Sequence, residues 1–187
     1  MVEEAPEAGA RPRTLLLLRH ARSEPAGAGV ADHERPLAGR GRRDARDLAA
    51  RAFSGAGATV DLVLCSSARR AIETLAAFSG LIRPGTDVRI DRGLYVADGD
   101  GLLDRLRAVE PAFGSALLIG HNPALHDLAL RLAGEGEAAG LERLARGLVP
   151  GGLVTLLLGG GRSGSGGRSG WAALDSGSCR LLRYDLP

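Results

Sequence analysis

Two histidines and a set of arginines stand directly after the most apolar runs of this chain, a placement that points to anion chemistry. Residues 15–24 read LLLLRHARSE, so four leucines run straight into Arg19, His20 and Arg22. The run DLVLCSS at 61–67 leads to Arg69 and Arg70, and SALLIG at 115–120 leads to His121 and Asn122. A guanidinium offers a planar fork of N–H donors that matches phosphate oxygens, and the free N–H groups of a helix start add to such a cradle. A neutral imidazole is a competent nucleophile toward phosphorus. Phosphoryl chemistry is the expectation, provided that the three segment ends meet.

Their meeting depends on the elements that carry them. Short apolar runs alternate with amphipathic stretches along the chain, which predicts an α/β three-layer sandwich with a mostly parallel central sheet and helices on both faces. Strands are expected at 14–18, 61–67, 87–90, 115–120 and 151–160, and over 171–185. Helices are expected at 38–53, 68–81, 101–110 with Asp100 as cap, and 121–134 with Asn122 as N-cap, Pro123 at the first helical position and Gly134 past the end. A loop spans 23–37. Ligands of open α/β sheets bind outside the carboxyl ends of the strands, so parallel strands would bring all three polar sets to one edge. Residues 1–13 read as a disordered lead-in and 14–187 as one domain, with a flexible Gly/Ser loop at 161–170.

Composition narrows the partners. The chain has 187 residues, 44% of them hydrophobic, enough for the core of one domain. A net charge of +2, arginines spread along the sequence and 3% aromatics argue against nucleic acid, which favours clustered charge with stacking rings. No apolar run reaches membrane-spanning length, and two cysteines make no disulfide framework, so a cytoplasmic monomer or weak dimer without membrane contact is expected. Acidic residues do not cluster at the strand ends; neither a metal nor a cofactor is expected.

The runs LLLLRHARSE, SSARRAIET (66–74) and LLIGHNP (117–123), in this order, resemble the histidine phosphatase superfamily. The nearer likeness is to its SixA-type phosphohistidine phosphatase branch, where Arg-His-Ala replaces Arg-His-Gly; the stretches ADHERPLAGRGRRDA (31–45) and GLYVADGDGLL (93–103) are similar to that branch as well. The resemblance implies a phosphoglycerate mutase-like fold. It also implies that His20 is the nucleophile, phosphorylated in a covalent intermediate, that Arg19 and Arg70 bind phosphate, and that His121 is the second histidine of the pocket. Arg22, Asn122 and Arg35 are further substrate-binding candidates. The substrate would be a phosphorylated protein, phosphohistidine above all, or a small-molecule phosphate. Two alternatives stay open: a general small-molecule phosphomonoesterase of the same superfamily, and a non-catalytic module that binds a phosphorylated ligand. The glutamate that serves many members as general acid has no clear equivalent; Tyr95 and Asp98 are the only candidates.

Other residues carry competing roles. Arg69 and Arg70 lie about 100° apart on one helix, so one faces the ligand and the other solvent, and the motif favours Arg70 inward. Arg22 has phosphate or Glu24 as partner, and Arg35 either lines the pocket or ties its loop through Asp32. Ser66 and Ser67 lack a nucleophile-elbow surrounding and are read as helix caps. His126 is assigned a structural or supporting role, His33 an exposed one without a partner, and Cys65 that of an inert core thiol.

Overall fold

Leucine is a modest strand former, yet the leucine run lies in β1 (Arg13–Arg19), the strand at the middle of the sheet. The computed structural model describes residues 12–27, 29–52, 59–159 and 169–187. Side chains alternate across a strand. Leu15 and Leu17 accordingly enter one apolar core, while Leu16 and Leu18 enter another on the opposite face. A strand covered on both sides needs apolar residues at every position, which explains why this one shows no polar alternation.

The remaining elements are α1 (Gly39–Ala52), β2 (Leu62–Ser66), α2 (Arg69–Ala77), β3 (Asp87–Asp91), the short α3 (Gly93–Val96), α4 (Gly99–Arg107), β4 (Ser115–Gly120), α5 (Ala124–Leu132), β5 (Ala133–Gly136), α6 (Ala138–Arg146), β6 (Leu153–Leu158) and β7 (Cys179–Asp185). They build a seven-stranded sheet in the order β3-β2-β4-β1-β6-β7-β5. The pairs β1–β4, β2–β4, β2–β3 and β5–β7 are parallel; β1–β6 and β6–β7 are antiparallel. Ala45 and Leu48 of α1 and Ala71 and Leu75 of α2 cover the face of Leu16 and Leu18. Leu102, Leu103 and Leu106 of α4, Leu125 and Leu128 of α5 and Leu144 of α6 cover the other. The mixed α/β three-layer sandwich with a mostly parallel sheet is as expected. No helix among the described residues is long and apolar enough to cross a membrane.

Several boundaries differ from expectation, each for a local reason. Asp98, not Asp100, caps α4: its Oδ1 accepts from the Gly101 N–H at 2.9 Å, while Asp100 pairs with Arg131. Asn122 is not an N-cap, because α5 begins at Ala124 and the Asn122 amide donates to the Leu148 carbonyl at 3.0 Å. The expected helix over 121–134 stops at Leu132, and Ala133–Gly136 pairs with β7 instead. There Gly134 abuts the backbone of Gly177 so closely that a Cβ would lie 2.3 Å from the Gly177 carbonyl oxygen; only glycine permits the approach. The segment 171–185 is strand only from Cys179. It is preceded by a 3-10 turn, Gly170–Ala173, whose buried Trp171 donates its indole N–H to the Phe113 carbonyl at 2.8 Å. The expected lead-in and the Gly/Ser loop lie, but for their inner ends, outside the described residues, as does Phe53.

Register aligns the carboxyl ends of the central strands. Arg19 stands beside Gly120 on β4, and Cys65 stands beside Ile119, so the chain leaves β1, β2 and β4 at one edge. Helix α1 then braces the loop that follows β1. Its buried Gly41 packs on the backbone of Arg22, and a Cβ there would lie 2.1 Å from the Arg22 carbonyl oxygen. We therefore expect Gly41→Ala to lower stability by ~1–3 kcal/mol through overpacking and to reduce turnover by displacing the 20–24 loop. Urea unfolding and steady-state kinetics on the same variant check both parts; a wild-type midpoint would show that the contact yields freely.

Candidate active site

His20 is placed by the sheet and held by its neighbours. Its backbone N–H continues the β1–β4 pairing by donating to the Gly120 carbonyl at 3.1 Å. The next N–H, of Ala21, donates to Thr74 Oγ1 at 3.0 Å, and Thr74 Oγ1 donates to the Arg70 carbonyl at 2.7 Å. The fully buried Thr74 thus stitches the loop after β1 to α2. His20 Nδ1 donates to the Ala21 carbonyl at 2.8 Å, because a carbonyl oxygen can only accept. Nε2 is consequently the lone-pair nitrogen, and it accepts from Arg70 Nε at 3.3 Å. Burial first, and then the positive charges of Arg70, Arg19 and Arg35, hold the His20 pKa down at about 4 against the opposing Ala21 hydrogen bond.

Arg70 is buried at 5% exposure, and its fork is filled. NH1 donates to the Asp32 backbone carbonyl at 2.6 Å and NH2 to Asp32 Oδ2 at 2.9 Å. Asp32 also accepts from Tyr95 Oη at 2.7 Å and from Arg35 Nε at 2.8 Å. Hydrogen bonds from Tyr95, then Arg35 and Arg70, hold the Asp32 carboxyl ionised with a pKa of about 2. The Tyr95 hydroxyl is shifted upward by its bond to Asp32.

His121 lies across from His20, the ring centroids 4.9 Å apart, with the Tyr95 ring edge-on at 5.5 Å. Its Nε2 is 2.7 Å from Ser66 Oγ, and its Nδ1 is buried with no hydrogen-bond partner. Burial first, then the neighbouring His20 and Arg70, push its pKa down to about 3. Arg19 donates NH1 to the Leu148 carbonyl at 2.8 Å, leaving its buried Nε unpartnered. Its charge acts on both imidazoles.

The fold therefore brings Arg19, His20, Arg70 and His121 to one edge, and Asn122 beside Arg19 on the shared Leu148 carbonyl. Arg69 is exposed and paired with Glu73, which leaves Arg70 as the inward member. Arg35 ties the loop, donating to Asp32, to Ser23 Oγ at 3.2 Å and to the Glu24 carbonyl at 2.7 Å. Arg22 is exposed and makes no ion pair with Glu24 among the described residues. His33 departs from the exposed, partnerless reading: Nδ1 donates to Glu34 at 2.7 Å and Nε2 accepts from Ser67 at 2.8 Å. His126 Nε2 donates to the Leu144 carbonyl at 2.9 Å and so fastens α6. Cys65 is fully buried, its thiol pushed up to about 12.

Of the two candidate acids, Asp98 is spent on capping α4, whereas Tyr95 does reach the site. Motif reasoning assigns no place in the site to Asp32, Ser66 or Thr74. Only Asp32 carries a signal in the sequence, its position three residues before Arg35. Among the described residues no three His, Cys, Asp or Glu side chains are grouped as metal ligands would be.

Comparison with known proteins bears on the family of the chain. The family model "Histidine phosphatase superfamily (branch 1)" matches residues 15–95. An uncharacterized protein of Mycobacterium leprae is 33% identical over 176 residues, covering 91% of this chain and 99% of its own. Among solved structures, one assigned as the phosphohistidine phosphatase SixA of Nakamurella multipartitia is 28% identical with a TM-score of 0.76, over 94% of this chain and 96% of that one. A second, assigned as SixA of Agrobacterium tumefaciens, is 26% identical with a TM-score of 0.73, over 94% and 98%. With a likeness that spans nearly the whole chain and an Arg-His pair at the head of the site, the chain is an enzyme of the histidine phosphatase superfamily, in its SixA-type branch.

Proposed function

We propose that the protein hydrolyses phosphohistidine or a related phosphoramidate, without metal or cofactor, through a phosphohistidine formed on His20. One observation carries the choice of substrate class: the carboxyl group that reaches the pocket, Asp32, is held ionised by Tyr95, Arg35 and Arg70. An ionised carboxylate has no proton to give. Alkyl phosphates need one, since an alkoxide leaves poorly, whereas the nitrogen of a protonated phosphoramidate departs without help.

His20 Nε2 carries the lone pair and attacks phosphorus in line with the departing nitrogen. The bond from Nε2 to phosphorus forms as the bond to the leaving nitrogen breaks, and the electron pair goes with that nitrogen. Arg19 and Arg70 hold the phosphoryl oxygens and offset their charge, with His121 as a further donor. Phosphate oxygens would take NH2 of Arg70 from Asp32, which keeps Arg35 and Tyr95. Water then attacks the phosphohistidine, releasing inorganic phosphate and restoring the imidazole. The two arginines supply the positive charge that a metal provides in other phosphatases. Asn122, beside Arg19 on the Leu148 carbonyl, and the exposed Arg22 are assigned to the substrate outside its phosphoryl group.

Three outcomes are expected. The value of kcat/KM should depend steeply on leaving-group pKa, a phosphohistidine peptide exceeding a phosphoserine peptide by ~100-fold or more; equal rates on the two would instead mark a general phosphomonoesterase. His20→Ala should abolish turnover with the fold intact, and labelled phosphate on the wild-type enzyme should survive an alkaline quench but not an acidic one. An acid-stable adduct would move the nucleophile to Ser66 or Ser67. Arg70→Ala should cost ~100-fold or more in kcat/KM while Arg69→Ala stays within about threefold, as expected for one inward and one solvent-facing guanidinium; comparable losses would refute the assignment.

A further inference from the structure

Ser66 ends β2 with its side chain fully buried, and its hydroxyl has two contacts. Oγ accepts from the Ala68 backbone N–H at 3.3 Å and lies 2.7 Å from His121 Nε2. A buried hydroxyl also needs an acceptor for its own proton. Among the described residues the one within reach is His121 Nε2. We infer that Ser66 is a positioning residue that donates to His121 Nε2, fixes the ring as its Nδ1–H tautomer, and so keeps an N–H donor ready for a phosphoryl oxygen.

Three observations support the assignment. With Nε2 accepting, the neutral ring must carry its proton on Nδ1, and burial beside His20 and Arg70 keeps the ring neutral. Nδ1 is the nitrogen with no protein partner, although it is buried. A buried donor without an acceptor is rare in folded proteins and marks a place where a ligand supplies one. The opposite tautomer would present a lone pair to the phosphoryl oxygens and repel them. His20 is also held as Nδ1–H, by the Ala21 carbonyl. The two rings thus share a tautomer but play different roles, since His20 has its lone pair available for attack, whereas His121 has its lone pair spent on Ser66 and its proton available.

The kinetic part of this inference rests on the pocket binding a phosphoryl group; the tautomer does not. Long-range proton–nitrogen correlation NMR on the full chain, labelled with nitrogen-15 at its four histidines, tests it directly. His121 is assigned from the signal lost in His121→Gln. The expected result at neutral pH is a protonated Nδ1 and an unprotonated Nε2 for His121, with Ser66→Ala giving a mixture. Kinetically, Ser66→Ala should lower kcat on a phosphohistidine peptide by at least ~10-fold, as lost orienting partners do, and Ser66→Thr should restore most of it. Inorganic phosphate should move the His121 Nδ1–H signal and leave the His126 Nε2–H signal in place. A His121 protonated on Nε2 in the wild type overturns the inference, even if no Ser66 variant folds. So does an unchanged tautomer in folded Ser66→Ala. Loss of all phosphatase activity in the wild type, with the tautomer as expected, would overturn the proposed function alone.

Discussion

The buried guanidinium of Arg70 is the point on which the site's organisation depends. A charge taken out of water must be paired and hydrogen-bonded or it destabilises the fold by several kcal/mol. Arg70 satisfies this need with a nitrogen of His20, the backbone of Asp32 and the carboxylate of Asp32, so α2, the loop after β1 and the 3-10 turn at Asp32–Glu34 are held in register by one side chain. Thr74, one helical turn further along α2, adds a second tie to the same loop through the Ala21 N–H. The scaffold that makes Arg70 tolerable is thus the scaffold that aims His20.

Neutral imidazoles in a positively charged pocket follow from burial more than from charge. For His20 and His121 alike, removal from water is the leading cause of the low pKa, with the arginines adding to it. Each ring then has one nitrogen bound to protein, His20 through Nδ1 and His121 through Nε2. In the proposed reaction the difference matters, because a nucleophile must present a lone pair and an oxyanion donor must present a proton. Asp32 completes the balance: its carboxylate offsets Arg70 and Arg35, and the bonds from Tyr95, Arg35 and Arg70 hold its pKa low. Charge, burial and hydrogen bonding thus support the proposed choice of a leaving group that needs no proton from the enzyme.

Sheet topology converts three separated sequence segments into one constellation. Parallel pairing of β1, β4 and β2 puts their carboxyl ends side by side, and the antiparallel β6 flanks β1 so that Gly151 and Gly152 bond to the backbone of Arg19 and His20. The same topology places Leu148 before β6, where its carbonyl anchors both Arg19 and Asn122.

By itself the sequence determined the α/β alternation, the two-sided burial of the leucine run and the four residues Arg19, His20, Arg70 and His121 as a group. These features are local or periodic, and the motifs carry them intact. The inward choice of Arg70 over Arg69 was legible too, from motif and helix geometry. Only the tertiary structure decided that Asp32 pairs with the buried Arg70, that His33 is partnered by Ser67, that Asp98 caps a helix, and that 133–136 joins the sheet beside β7. It alone gave Ser66 its partner, 55 residues away in the chain. Contacts of that kind leave no periodicity in either segment. A serine at a strand end looks the same whether it caps a helix or orients an imidazole, and the difference arises only when packing brings the second strand alongside.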